Sequence, residues 1–110
     1  MRFAIAYVEV NNAATGHFGS VLKAPLGAII DVFHVDVFGT IRLMQNVVPH
    51  MPKGGRIINI GSIASKLGIP VIPIYGAAKA TLDTLTFSMS QEVRILTFLD
   101  SLHSTVKILC

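Results

Sequence analysis

Residues Gly61–Ala80 read GSIASKLGIPVIPIYGAAKA, a stretch that sets Ser62, Tyr75 and Lys79 at intervals of thirteen and four residues. Just before it, Arg56–Gly61 reads RIINIG, a short β-branched run with the look of a fully buried strand. Gly61 then opens a loop of about thirteen residues, and Pro70 and Pro73 keep that loop from becoming helix. A helical pattern resumes near Tyr75 and continues to about Arg94, with Ala78, Leu82, Leu85 and Met89 facing inward. Four residues apart on a helix, Tyr75 and Lys79 share one face, with Cβ atoms about 5 to 6 Å apart.

The rest of the chain alternates strand and helix signals, with no repeat or low-complexity tract. Phe3–Val10, FAIAYVEV, has strand length and is closed by the turn-prone NNAATG. Pro25 opens a helical segment to about His34, with Leu26, Ile29, Ile30 and Phe33 at helical spacing. A second helix is expected over 37–51, where Val37, Ile41, Met44, Val47, Val48 and Met51 form one stripe stopped by Pro52. At the end, ILTFLDSLHS can extend a helix and TVKIL can form a terminal strand. The order β, α, α, β, α and a final strand points to one α/β layer structure over 1–110 with parallel strands.

Composition bounds the function. The 110 residues are 52% hydrophobic and 14% charged, against averages of about 45–50% and about 25%. A chain so rich in core either buries both faces of a parallel sheet or has an apolar surface that something else covers. The net charge of +3 comes from scattered basic residues, without the clustered stripe that nucleic-acid binding needs. The single cysteine, Cys110, permits no internal disulfide, and no apolar run reaches the roughly 18 residues of a membrane span. Glu9 interrupts the opening apolar run, which argues against a signal peptide, so the expectation is a cytoplasmic protein without a membrane partner. His17, His34, His50 and His103 show no metal-ligand spacing.

A phenol titrates near pH 10 and is a poor proton donor at neutrality unless a neighbouring cation stabilises its charged form. Lys79 is placed to do that for Tyr75. Ser62 stands at the carboxyl end of a buried strand, where open α/β sheets place their ligands, and can donate to an oxygen on which charge changes. The three groups suit proton transfer to a carbonyl oxygen as hydride reaches its carbon; none carries hydride, so a cofactor is required.

These elements resemble the short-chain dehydrogenase/reductase family. Ser62 with Tyr75-x-x-x-Lys79 matches its catalytic pattern, GRIINIGS resembles its fifth strand, and Asn11, Asn12 and Ala13 resemble its Asn-Asn-Ala-Gly element, with Ala14 in place of the glycine. The resemblance runs from about residue 5 to residue 93 and implies a partial Rossmann-type sheet with flanking helices. It further implies NAD or NADP as cofactor and a ketone or secondary alcohol as small-molecule substrate. Carried over residue by residue, Tyr75 is the acid/base, Lys79 holds the nicotinamide ribose and tunes Tyr75, and Ser62 orients the carbonyl. Asn11 and Ala13 join Tyr75 and Lys79 in cofactor binding. The helices over 37–51 and 75–94 commonly form the family's dimer interface.

Two departures qualify the match. Asp36 in VDVFGT stands where the family usually has the asparagine of Asn-x-x-Gly, with Gly39 retained, so the resemblance places Asp36 in the catalytic set through a main-chain carbonyl that holds a relay water. An ionised Asp36 near Lys79 would weaken the field on Tyr75; the plainer reading makes Asp36 the N-cap of the 37–51 helix. The second departure is the glycine-rich turn that cradles a pyrophosphate at a helix N-terminus, for which neither TGHFGS nor KGGR is a match. The chain is thus expected to correspond to the middle of the domain and to bind cofactor weakly, or to be an inactive remnant acting by association. Plainer readings of the other residues are a strand-end hydroxyl for Ser62 and a surface pair for Tyr75 and Lys79. Leu67, Ile69, Val71 and Ile72 are expected to wall an apolar substrate.

Overall fold

The computed structural model describes residues 8–52, 55–99 and 107–109. Three short strands, β1 (Val8–Asn11), β2 (Arg56–Asn59) and β3 (Lys107–Leu109), form a parallel sheet in the order β1-β2-β3. Register pairs Glu9 with Ile57 and Asn11 with Asn59, and Ile57 with Ile108 on the other side. The ladder runs one step further, where the Ile60 N–H donates to the Asn11 carbonyl at 3.1 Å. This is the partial α/β sheet the sequence implied. The start of the expected strand, residues 3–7, and Cys110 lie outside the described residues, as does the expected helical extension over 100–104.

Parallel strands need crossovers, and here both are helical. Between β1 and β2 run α1 (Leu26–Phe33), a π turn (His34–Phe38), α2 (Gly39–Val47) and a 3₁₀ turn (Val48–His50). The two helices expected from sequence are therefore one continuous run with a π insertion. This overturns the reading of Asp36 as an N-cap, because Asp36 lies inside the run, where no helix begins. The π turn shifts the helical register by one residue, so that Asp36 and Val37 face inward with Thr40 and Met44.

After β2, the loop contains a 3₁₀ turn (Ile63–Ser65), and α3 (Pro73–Leu99) opens on a proline, whose fixed φ and missing N–H suit the first helical position. Pro73 thus starts the helix that it was expected to exclude. Gly76 lets α3 approach that turn closely, since a Cβ there would stand 2.8 Å from the Ala64 carbonyl oxygen.

The helices cover one face of the sheet. Met44, Met51 and Ile57 form one buried cluster, flanked by Val47, Val48, Leu85 and Met89. Val32, Val37, Ile74 and Ala78 form a second, flanked by Ala24, Ile29, Phe33 and Ile41. The α2 and α3 stripes read from sequence are the observed core, but α1 turns differently: Val32 is buried while Leu26 and Ile30 are exposed. None of the described helices is long and apolar enough to cross a membrane.

Candidate active site

The carboxyl ends of β1 and β2 place the site. A buried polar chain first fixes those ends: the Asn11 amide donates to Asn59 Oδ1 at 2.7 Å, the Asn59 amide donates to Thr86 Oγ1 at 2.9 Å, and Thr86 Oγ1 donates to the Leu82 carbonyl at 2.7 Å. Asn59 Nδ2 also lies 3.9 Å from Met44 Sδ. This network ties two strands to α3, with Asn11 Oδ1 left without a hydrogen-bond partner among the described residues. Asn11, expected in cofactor binding, is buried in this network, and Asn59 and Thr86 were missed in the sequence because one asparagine in a strand carries no local signal. Asn12 and Ala13, just beyond, are exposed.

Lys79 projects from α3 toward the end of β2. Its ammonium donates to the Ile60 carbonyl at 3.0 Å and sits 5.6 Å from the Tyr75 ring centroid, although the residue is only 2% exposed. That separation is within cation–π range, and the shared face expected from the four-residue spacing is realised. One of three ammonium N–H groups is spent on Ile60; the others have no hydrogen bond among the described residues. Tyr75 is half-buried, and Gly16 lies beside its side chain: a Cβ on Gly16 would stand 3.7 Å from Tyr75 Cδ2.

Ser62 is extended, with φ −152°, and its Oγ accepts the Ala64 N–H at 3.1 Å, capping the Ile63–Ser65 turn. A hydroxyl that accepts there keeps its own proton to donate. Asp36 is fully buried. Its Oδ1 accepts the Thr15 N–H at 2.7 Å, its Oδ2 has no partner among the described residues, and its main-chain carbonyl accepts from Thr40 Oγ1 at 3.1 Å. Burial pushes the Asp36 carboxyl above the ordinary range, partly opposed by the Thr15 N–H and the Lys79 charge. Asp36 and Lys79 are coupled through space, with no ion pair between them among the described residues.

Of the expected apolar wall, Leu67, Ile69 and Ile72 line a concavity of about 430 Å³ together with Ala64, Pro73 and Gly76. Neither Tyr75 nor Lys79 lines it, and Val71 is exposed instead.

The family model described as short chain dehydrogenase matches residues 6–96. This chain belongs to the short-chain dehydrogenase family. A short chain dehydrogenase of Emericella nidulans is 40% identical over 90 residues, covering 77% of this chain and 33% of that protein. The 17-beta-hydroxysteroid dehydrogenase type 1 of Mus musculus is 35% identical over 85 residues, covering 76% of this chain and 25% of that protein. Among solved structures, a short chain dehydrogenase/reductase from Burkholderia phymatum in complex with NAD superposes with a TM-score of 0.81 at 25% identity, over 92% of this chain and 35% of that one. The landomycin C-6 ketoreductase with bound NADP and rabelomycin matches with a TM-score of 0.76 at 25% identity, over 79% of this chain and 36% of that one. The chain spans about a third or less of the length of these curated relatives. Short-chain dehydrogenases use NAD or NADP; a buried ammonium with N–H groups to give, such as that of Lys79, is chemistry that fits the hydroxyls of such a cofactor, and Asn12 and Ala13 are exposed just beyond the end of β1.

Proposed function

We propose that this short-chain dehydrogenase chain carries the acid/base half of an NAD(P)-dependent oxidoreductase that interconverts ketones and secondary alcohols. The observation that carries the reading is the buried Lys79 ammonium held on the Ile60 carbonyl and over the Tyr75 ring. In the reducing direction the Tyr75 hydroxyl gives its proton to the carbonyl oxygen. Lys79 offsets the negative charge that forms on the phenolic oxygen, and its remaining N–H groups would hold the ribose hydroxyls. Ser62, its Oγ already oriented by the Ala64 N–H, donates to the same carbonyl oxygen. The cofactor, when bound, supplies the hydride. Asn11 contributes by anchoring the strand end from which Ala13 is displayed.

The pyrophosphate side of the cofactor needs a cradle of main-chain amides, which this sequence offers in no glycine-rich turn opening a helix. Binding by the 110 residues alone is therefore expected to be weak. Titration of NADH and NADPH, followed by turnover of a ketone, tests the reading. Saturable binding that survives Tyr75→Phe, with turnover lowered about 10²–10⁴-fold in that variant, is the expected result; no binding at millimolar cofactor overturns it for this chain.

A second reading, association through the helices, is favoured by a groove of about 320 Å³ between α2 and α3, lined by Ile41, Met44, Val48, Leu85 and Met89. Phe87, on the same helix, is 69% exposed. A pair of copies joined through these helices would cover such apolar surface. Sedimentation analysis showing a monomer at all accessible concentrations removes this reading.

A further inference from the structure

We propose that Asp36 is a positioning residue for Tyr75: by accepting the Thr15 N–H, its buried carboxyl holds the loop after β1 against the Tyr75 ring. The inference deepens the reading of Tyr75 as the acid/base and takes its functional meaning from it.

The loop over 12–20 is fixed at two points. Thr15 N–H reaches Asp36 Oδ1 at 2.7 Å, and Gly19 N–H reaches the Val71 carbonyl at 2.9 Å. Gly19 has φ +138°, a conformation open to glycine, so the second tie falls where the chain can turn. Between the two ties Gly16 lies beside Tyr75, where an added Cβ would stand 3.7–3.9 Å from Cδ2 and Cγ of the ring and from Tyr75 Cβ. The Thr15 tie is the sole hydrogen bond that residues 12–18 make among the described residues. Released from it, the segment has only packing to keep it on the ring.

Asp36 pays heavily for this position. A fully buried carboxyl with one oxygen unpartnered among the described residues is costly, and a strong bond through the other oxygen offsets part of that cost. The π turn delivers it: without the inserted residue, the side chain of Asp36 would leave the helix in another direction. Of the charged groups, Lys79 acts on the carboxyl from α3; Thr15 faces it from the loop, and Thr40 of α2 bonds the Asp36 main-chain carbonyl. Ring, ammonium and carboxyl are thus held as one set, with the loop as the strap. An amide at position 36 keeps an acceptor oxygen for Thr15, so the geometry should outlast the loss of charge.

Amide exchange and tyrosine ring resonances, read by NMR on the full chain, test this without any activity measurement. In Asp36→Ala the Thr15 amide should lose protection by about tenfold or more and the Tyr75 ring resonances should shift, while the Ile57 amide in β2 keeps its protection relative to overall stability. Asp36→Asn should restore both signals. A Thr15 amide that stays protected in Asp36→Ala, Tyr75 resonances that stay put when protection is lost, or an Asp36→Asn variant that behaves like Asp36→Ala overturns the proposal. Should Asp36→Ala not fold, amide exchange of the wild-type chain decides: the Thr15 amide must be protected well above those of Asn12, Ala13 and Ala14, and a Thr15 amide that exchanges as fast as they do overturns the clamp. Turnover of Tyr75→Phe bears on the acid/base reading alone, so the two can fail independently.

Discussion

The two faces of the sheet are made by alternate residues of the same strands and meet opposite surroundings. On the face under α2 and α3, Ile57 and Asn59 are 0% and 2% exposed, and Glu9 and Asn11 are buried beside them. On the other face, Val8 and Val10 are each 54% exposed, and Ile60 beyond β2 is exposed too. In β1 the polar residues point inward and the valines outward, the reverse of what alternation in a half-covered strand leads one to expect. A polar inner face survives where its groups are mutually bonded, as Asn11, Asn59 and Thr86 are, and an apolar outer face marks surface built to be covered.

The sharpest way to break the contrast is to truncate one side chain on each face. Ile57→Ala should cost about 2–5 kcal/mol, because a fully buried side chain leaves a cavity, whereas Val10→Ala should stay within about 0.5 kcal/mol. Equilibrium urea unfolding of the two variants measures both, and equal losses would mean that the outer face is covered in solution. Next comes the network. Asn59→Leu removes the partner of Asn11 and Thr86 together and should cost about 1–3 kcal/mol by the same measurement.

The third and smallest effect belongs to Glu9, the inner-face group that the network leaves out. Neither carboxylate oxygen has a hydrogen-bond partner among the described residues; burial pushes the carboxyl above the ordinary range, and the nearby Asn11 amide only partly pulls it back. The folded chain then binds a proton more tightly than the unfolded one. In the pH window between the ordinary glutamate value of about 4.3 and the raised folded value, the folded state holds more protons, so stability falls as pH rises and stays lower above the window. Glu9→Gln should accordingly stabilise the chain at neutral pH and flatten this dependence. Urea midpoints from mildly acidic to neutral pH check it; a wild-type midpoint that falls with acidification through that window would contradict the sign.

Much of this was open to reading in one dimension. The α2 and α3 stripes, the β2 run and the Tyr75–Lys79 pair all rest on periods of two or 3.6 residues, which neighbouring atoms impose, and they stand where the spacing put them. Asp36 was singled out for its place in a motif but misplaced as a cap, because a π insertion breaks the period on which helix boundaries are judged. Ser62 was found by its strand-end position, while its use of the Ala64 N–H depends on how the following turn closes.

What the sequence determined by itself is therefore the order of elements, the apolar faces of two helices, and a phenol and an ammonium on one side of α3. Only the tertiary structure decided that Glu9 and Asn11 face inward, that Asn59 joins Asn11 to Thr86, and that Asp36 reaches Thr15 across 21 residues. The division has a physical cause. Backbone periodicity is set by contacts a few residues apart, but which face of a strand is covered, and which buried polar atom finds a partner, depends on elements brought together from distant parts of the chain.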